Sequence, residues 1–124
     1  MDFSFHPVQA KLDDLIKKIR EFRLERDWDQ YHSPKNLAMA LIAEAGELVE
    51  HFQWLTEKES RSLPPDKIAA IEEEVGDVLI YLANLCDKLA IDPIGAAHDK
   101  LEKNRGKYPV SLVRGKSSKY NEYK

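Results

Sequence analysis

Apolar residues recur at three- and four-residue steps through four stretches of the chain, the spacing of helices that bury one face. In the first stretch Leu12, Leu15, Ile16, Ile19 and Phe22 alternate with Lys, Asp, Glu and Arg, which predicts a helix over residues 6–26. Residues 27–32 have no such period. Ser33-Pro34 then supplies an N-cap residue followed by proline at the first helical position. A second helix runs from there through Leu37, Leu41, Ala45, Leu48 and Phe52 to about Trp54, where the polar residues 56–62 and Pro64-Pro65 break it. Asp66 is placed to cap a third helix, which carries Ile68, Ile71, Val75, Val78, Leu79, Leu82, Leu85 and Leu89 to about Ala90. Asp92-Pro93 repeats the cap-plus-proline device to open a fourth, and Gly106 is expected to close it. Short connections between the first and second helices and between the third and fourth favour antiparallel neighbours, hence an all-α, four-helix bundle-like fold. After Tyr108-Pro109 the chain loses its period and carries Arg114, Lys116, Lys119 and Lys124. The expected organisation is a helical domain over 1–109 and a flexible basic tail over 110–124.

Composition narrows the function classes. A length of 124 residues leaves room for one hydrophobic core. The 43% hydrophobic content is too high for disorder, and five Gly with six Pro are too few for a sandwich of many short strands. Nineteen Lys+Arg against 22 Asp+Glu leave a net charge of −3, so no positive field recruits a nucleic acid polymer or an anionic membrane. Cys86 is the single cysteine, falls inside the apolar arc of the third helix, and reads as core. The opening MDFSFHPVQ lacks the basic and apolar regions of a signal peptide, and no uncharged apolar run approaches the ~18 residues of a membrane span. A cytoplasmic protein is expected.

The candidate chemistry lies in two pairs of acids. With about 100° per residue and Glu44 at zero, Leu37, Leu48, Leu41, Phe52, Ala45 and Val49 fill roughly 20° to 140°, and Glu47 lies about 60° to the other side. With Glu74 at zero on the third helix, Leu85, Val78, Ile71, Leu82, Val75, Ile68 and Leu79 fill the same arc, and Asp77 again lies about 60° back. Both helices therefore carry acids at i and i+3 along the edge of the face that must be buried. Packing those faces together brings four carboxylates into one groove. At an effective dielectric of 20, two carboxylates ~4 Å apart repel by ~4 kcal/mol, so the groove calls for protons or a cation. All-oxygen ligands select Mg²⁺, or Mn²⁺, over zinc. A single E-x-x-E is most often a solvated face; the repeated phase, with 26 residues between the pairs, is what favours a metal site.

Glu44-x-x-Glu47 and Glu74-x-x-Asp77, within EAGELVEHFQW and EEEVGDVLIYL, resemble the MazG-like all-α nucleoside triphosphate pyrophosphohydrolases. ERDWDQYHSPKNLAMAL and KLEKNRGKYPV are most similar to the dCTP pyrophosphatase branch, and the resemblance covers about Leu12 to Tyr120. It implies hydrolysis of dCTP to dCMP and pyrophosphate, Mg²⁺ held by the four acids, and sites built in an oligomer, a homotetramer by analogy. One position departs: Ile19 stands where some dCTP-preferring relatives have a histidine near the base pocket, which leaves base preference open.

Against that site, Glu44, Glu47, Glu74 and Asp77 are the expected catalytic metal ligands. One of them, or Glu73 beside them, accepts the attacking water's proton, and spacing does not choose among them. Trp54 lies seven residues after Glu47, about 10 Å along the axis, a separation that suits stacking on a base, although a lone Trp more often closes a bundle end. Trp28 and His32, in the connection before the second helix, are candidates for an aromatic wall and a phosphate or base contact. Tyr81 and Asn84 follow Asp77 on the acid-bearing edge, within reach of sugar or base. Asn36 sits on the first turn of the second helix, as a substrate contact or a support for the cap. Lys100, Asn104 and Lys107 form a stripe on the fourth helix that would neutralise triphosphate charge or complement the helix dipole. Met39 and Ile80 fall off the apolar arcs, which points to self-association. A di-iron bundle protein would need two E-x-x-H motifs, and the third helix offers no histidine at that spacing. The alternatives left are the same reaction on another or modified base, and a non-catalytic helical interaction module.

Overall fold

The computed structural model describes residues 7–117, so residues 118–124 of the expected tail lie outside the described residues. Every regular element among the described residues is helical. Helix α1 (Pro7–Glu25) buries Leu12 and Ile19, as its apolar stripe predicts. In its last turns the expectation fails: Phe22 is 48% exposed, whereas Arg23 is 8% exposed. The inward position there is polar because Asp29, Asn84 and Asp87 all accept hydrogen bonds from the Arg23 guanidinium. The helix ends in a Schellman arrangement, Trp28 N–H to Arg23 O at 2.8 Å and Asp27 N–H to Leu24 O at 3.2 Å, with Asp27 in the left-handed region at φ 53°. That turn sets Trp28 and the 3₁₀ turn Asp29–Tyr31 beside the helix end.

Helix α2 (Pro34–Glu50) starts where expected, with the Ser33 hydroxyl accepting from the Asn36 N–H. It stops four residues earlier than expected, the chain continuing in turns through residue 54. The polar stretch after it holds a further one-turn helix, α3 (Glu57–Ser60), closed by a capping box between Thr56 and Glu59. Helix α4 (Pro65–Lys88) is preceded by Pro64, which offers no side-chain cap, so Asp66 sits inside the first turn instead of capping it. Its C-terminus repeats the Schellman geometry, Ile91 N–H to Cys86 O at 2.9 Å, with Ala90 at φ 54°.

Helix α4 packs against both α2 and α1. Leu37 of α2 and Ala83, Asn84 and Cys86 of α4 are the most enclosed residues of these helices, Cys86 being buried as expected. Only part of each predicted apolar arc is covered. On α4, Ile71, Val78 and Leu85 are half-buried, but Ile68, Val75, Leu79 and Leu82 of the same arc are exposed, as is Val49 on α2; Ile42, outside the predicted arc, is exposed too.

Chain contacts divide the protein into two compact units, the first ending at Ile91 and the second beginning at Asp92. In the second unit, α5 (Pro93–Lys107) is capped by Asp92, whose Oδ1 accepts from the Ile94 N–H at 3.1 Å. Gly106 does not close it: the Tyr108 N–H still bonds Asn104 O at 2.8 Å, so the helix carries on to Lys107 and stops at Pro109, which has no N–H to give. The first residues of the segment read as a tail form one further turn, α6 (Val110–Val113).

Candidate active site

The α2–α4 contact carries the two acid pairs to one place. Carboxylate oxygens of Glu44, Glu74 and Asp77 lie within 4.8 Å of one another. Glu47, one turn after Glu44 on α2, is close enough for its charge to act on both Glu44 and Glu74. Burial raises the Glu44 carboxyl above the usual carboxylate range, and the neighbouring acids, Glu47 first, push it further. Glu74 is raised in the same way, by burial, then Glu47 and Asp77, with His51 opposing. The His51 Nε2 is 3.9 Å from Glu74 Oε1, a neighbour that the acid spacing does not announce.

Glu44 Oε2 and Glu74 Oε2 are buried with no hydrogen-bond partner among the described residues. A buried acceptor left unmatched costs free energy that a ligand would recover. Two such oxygens with a third carboxylate alongside form an all-oxygen donor set suited to a hard divalent cation, so the residues present fit the metal that their spacing suggests.

Beyond Asp77 along α4 a cavity of about 280 Å³ opens between α1, α4 and the connection before α2. Its walls are mainly apolar, Leu15, Ile19, Phe22, Trp28 and Ile80, with Lys18, Arg23, His32, Tyr81 and Asn84 as the polar lining. Trp28 meets Phe22 edge-on at a ring separation of 5.6 Å and His32 at 6.2 Å. Tyr81 and Asn84 follow Asp77 by four and seven residues, about 6 and 10 Å along the helix axis, so acids and cavity are offset by a distance suited to phosphates and base of one nucleotide.

A partly buried polar cluster lies beside the cavity. Asp87 receives hydrogen bonds from Arg20 and from Arg23, and the Arg20 bond above all holds its carboxyl below the usual range. Asp29 is lowered likewise, first by Lys88 and then by Arg23. Arg23, Asp29, Asp87 and Lys88 escape a reading that sends charged residues outward. Their signal is the phase Leu12, Ile16, Ile19, Arg23, which continues the buried stripe of α1 with a cation.

Of the expected substrate contacts, Trp28, His32, Tyr81 and Asn84 come together at the cavity. Trp54 does not join them; it is 87% exposed in the turn after α2. Asn36 donates from Nδ2 to Tyr31 O at 2.9 Å and so closes the connection onto the start of α2. Lys100, Asn104 and Lys107 lie on α5, in the second unit.

The profile of the MazG-like family matches residues 40–123, which include both acid pairs, and the chain belongs to that family. It is 44% identical over 122 residues to human (Homo sapiens) dCTP pyrophosphatase 1, spanning 97% of this chain and 71% of that protein, and 43% identical over the same length to the Mus musculus protein. The crystal structure of a pyrophosphatase from Archaeoglobus fulgidus matches with a TM-score of 0.73 at 44% identity, covering 88% of this chain and 98% of that one.

Proposed function

We propose that the protein is a Mg²⁺-dependent nucleoside triphosphate pyrophosphohydrolase that converts dCTP and water to dCMP and pyrophosphate. The observation that carries this is the convergence of Glu44, Glu74 and Asp77, with two buried oxygens unpartnered, beside a cavity sized for a base. Identity of 42–44% to four mammalian dCTP pyrophosphatase 1 proteins supports the substrate. Glu44, Glu47, Glu74 and Asp77 would hold Mg²⁺, or Mn²⁺ in its place. When bound, the cation supplies charge neutralisation and polarisation of phosphoryl oxygens.

The chain's own groups do the rest. Trp28 and Phe22 wall the base, Tyr81 and Asn84 line its polar side, and a carboxylate of the acid cluster accepts the proton of the water that attacks the α-phosphorus. The α–β phosphoanhydride bond breaks and pyrophosphate leaves. Trp54 is assigned to a base wall on the family resemblance, and the spacing of Lys100, Asn104 and Lys107 along one stripe of α5 is read as serving to neutralise triphosphate charge. Trp54, Ile42, Val49 and Val75, exposed at 87%, 71%, 58% and 50%, support a homotetramer in which a second copy covers these faces. No helix among the described residues is long and apolar enough to cross a membrane, and the site of action assigned here is the cytoplasm.

Incubation with each deoxynucleoside triphosphate and Mg²⁺, with pyrophosphate as the readout, tests the assignment. Release from dCTP that disappears in the Glu47→Gln, Asp77→Asn double variant is expected. Undiminished release in that variant removes the acid site, release from another nucleotide in preference to dCTP moves the substrate, and none from any nucleotide favours a helical interaction module.

A further inference from the structure

Among the polar residues that line the cavity, Arg23, Asn84 and His32 form one hydrogen-bonded chain, and the polarity of that chain is fixed. Arg23 NH1 lies 2.6 Å from the Asn84 side chain in a buried contact. A guanidinium only donates, so the atom facing it is the amide oxygen, and the Asn84 amide cannot be turned over. Its Nδ2 is thereby aimed at His32 Nδ1, at 3.1 Å. An amide NH₂ also only donates, so Nδ1 must offer its lone pair, and the ring hydrogen resides on Nε2. Burial, with the Arg23 and Lys88 charges, keeps His32 below the usual imidazole range, so the ring is neutral and has a single N–H. Arg23 cannot drift, because Asp29 and Asp87 hold its other nitrogens at 2.8 and 2.9 Å.

We propose that Arg23 and Asn84 are positioning residues that lock His32 as the Nε2–H tautomer, so that the His32–Asn84 edge of the cavity donates hydrogen bonds and selects a pyrimidine whose N3 and O2 both accept. Cytosine presents that pair of acceptors. Uracil and thymine place a hydrogen on N3, which would face another donor. Ile19, at the same cavity, adds no polar group that would compensate. Discrimination therefore rests on the direction of a hydrogen-bond chain two residues removed from the base. This inference rests on the dCTP pyrophosphohydrolase reading above.

Asn84→Asp reverses the chain. Aspartate still accepts from Arg23 but can only accept from His32, so the ring must carry its hydrogen on Nδ1, leaving Nε2 as an acceptor. Two measurements follow at pH 8.5. Long-range ¹⁵N–¹H NMR reads the tautomer directly, with the His32 signals assigned by their loss in His32→Gln. The wild-type protein is expected to show the Nε2–H pattern and the Asp variant the Nδ1–H pattern. Competition kinetics with dCTP, dUTP and dTTP read the consequence: a dCTP preference in kcat/KM of about 100-fold in the wild type should fall about 10-fold or more in Asn84→Asp, the size of effect expected when a buried donor–acceptor match is inverted. The change should come from both sides, with dUTP turnover rising relative to dCTP turnover. Asn84→Gln, which keeps the amide, should retain the wild-type order of substrates. An Nδ1–H pattern in the wild type overturns the proposal, as does an Asp variant that loses activity on all three nucleotides in equal proportion. A wild-type protein with the Nε2–H pattern that releases pyrophosphate from no nucleotide defeats the functional reading and base selection with it, leaving only the positioning of His32 upheld.

Discussion

Changing Asp87 to asparagine removes one negative charge from beneath the cavity while keeping the shape of the side chain. Asp87 is 93% enclosed at the side chain, being 7% exposed, and accepts from Arg20 and from Arg23 NH2 at 2.9 Å. The Arg20 side chain is 54% exposed, so water replaces its lost partner and solvent screening keeps that ion pair's share to about 1 kcal/mol or less. Arg23 is different, because its side chain is 10% exposed and its charge stays in the interior. Loss of a hydrogen bond to a buried charged group costs about 1.5–3 kcal/mol. The cost stays below the 3–5 kcal/mol range for a fully orphaned buried charge, since Asp29 and Asn84 still engage Arg23. With an unfolding entropy of about 2 cal/mol/K per residue, this corresponds to a fall in Tm of roughly 6–12 °C. Thermal denaturation followed by circular dichroism is the assay, at one fixed protein concentration because self-association moves Tm. The pH dependence has a definite sign. The folded-state pKa of Asp87 is depressed, chiefly by Arg20, so its contribution is complete above the ordinary carboxylate pKa of about 4 and is lost as pH falls below it. The gap between wild type and variant should be full at pH 7 and shrink below pH 4. A Tm change under about 2 °C at pH 7, or a gap that persists unchanged into strong acid, refutes this account of Asp87.

Three further outcomes follow from the same geometry. Glu74→Gln should raise the Tm of the metal-free protein at pH 8, because it removes one charge from the acid cluster, and should lose the stabilisation that Mg²⁺ gives the wild type; paired melting curves with and without Mg²⁺ check both. Ala90→Gly should stabilise by about 0.5–1 kcal/mol, since Ala90 holds φ 54° at the end of α4, where glycine is at no disadvantage; urea denaturation measures it. An Ile42→Asp, Val75→Asp double variant should elute from size exclusion as a smaller species than the wild type, because both residues lie on exposed apolar faces.

The acid site was legible because helical phase is simple geometry. Glu44, Glu74 and Asp77 needed only 3.6 residues per turn and one contact between α2 and α4 to meet. The cavity was partly legible, Trp28, His32, Tyr81 and Asn84 arriving at it together while Arg23 stayed hidden. A charged residue defaults to solvent, and only its continuation of the Leu12-Ile16-Ile19 stripe betrays that it points inward. Helix α3 was also readable, since Thr56-x-x-Glu59 is a capping-box pattern, but a single turn has no apolar period to draw attention. Gly106 misled because glycine permits a helix end without forcing one; the stop came from Pro109. The exposed halves of the α2 and α4 arcs are a different matter. Periodicity says that Val49, Val75 and Leu79 should be covered, but it says nothing about whether the cover comes from the same chain.

The central claim is that four acids from two helices form one divalent-cation site. Calorimetric titration of Mg²⁺ into the metal-free protein, set against a Glu44→Gln, Glu74→Gln double variant whose helical content by circular dichroism is unchanged, addresses it most directly. Saturable binding in the wild type that vanishes in the variant is the predicted result. Equal binding by both proteins would contradict it.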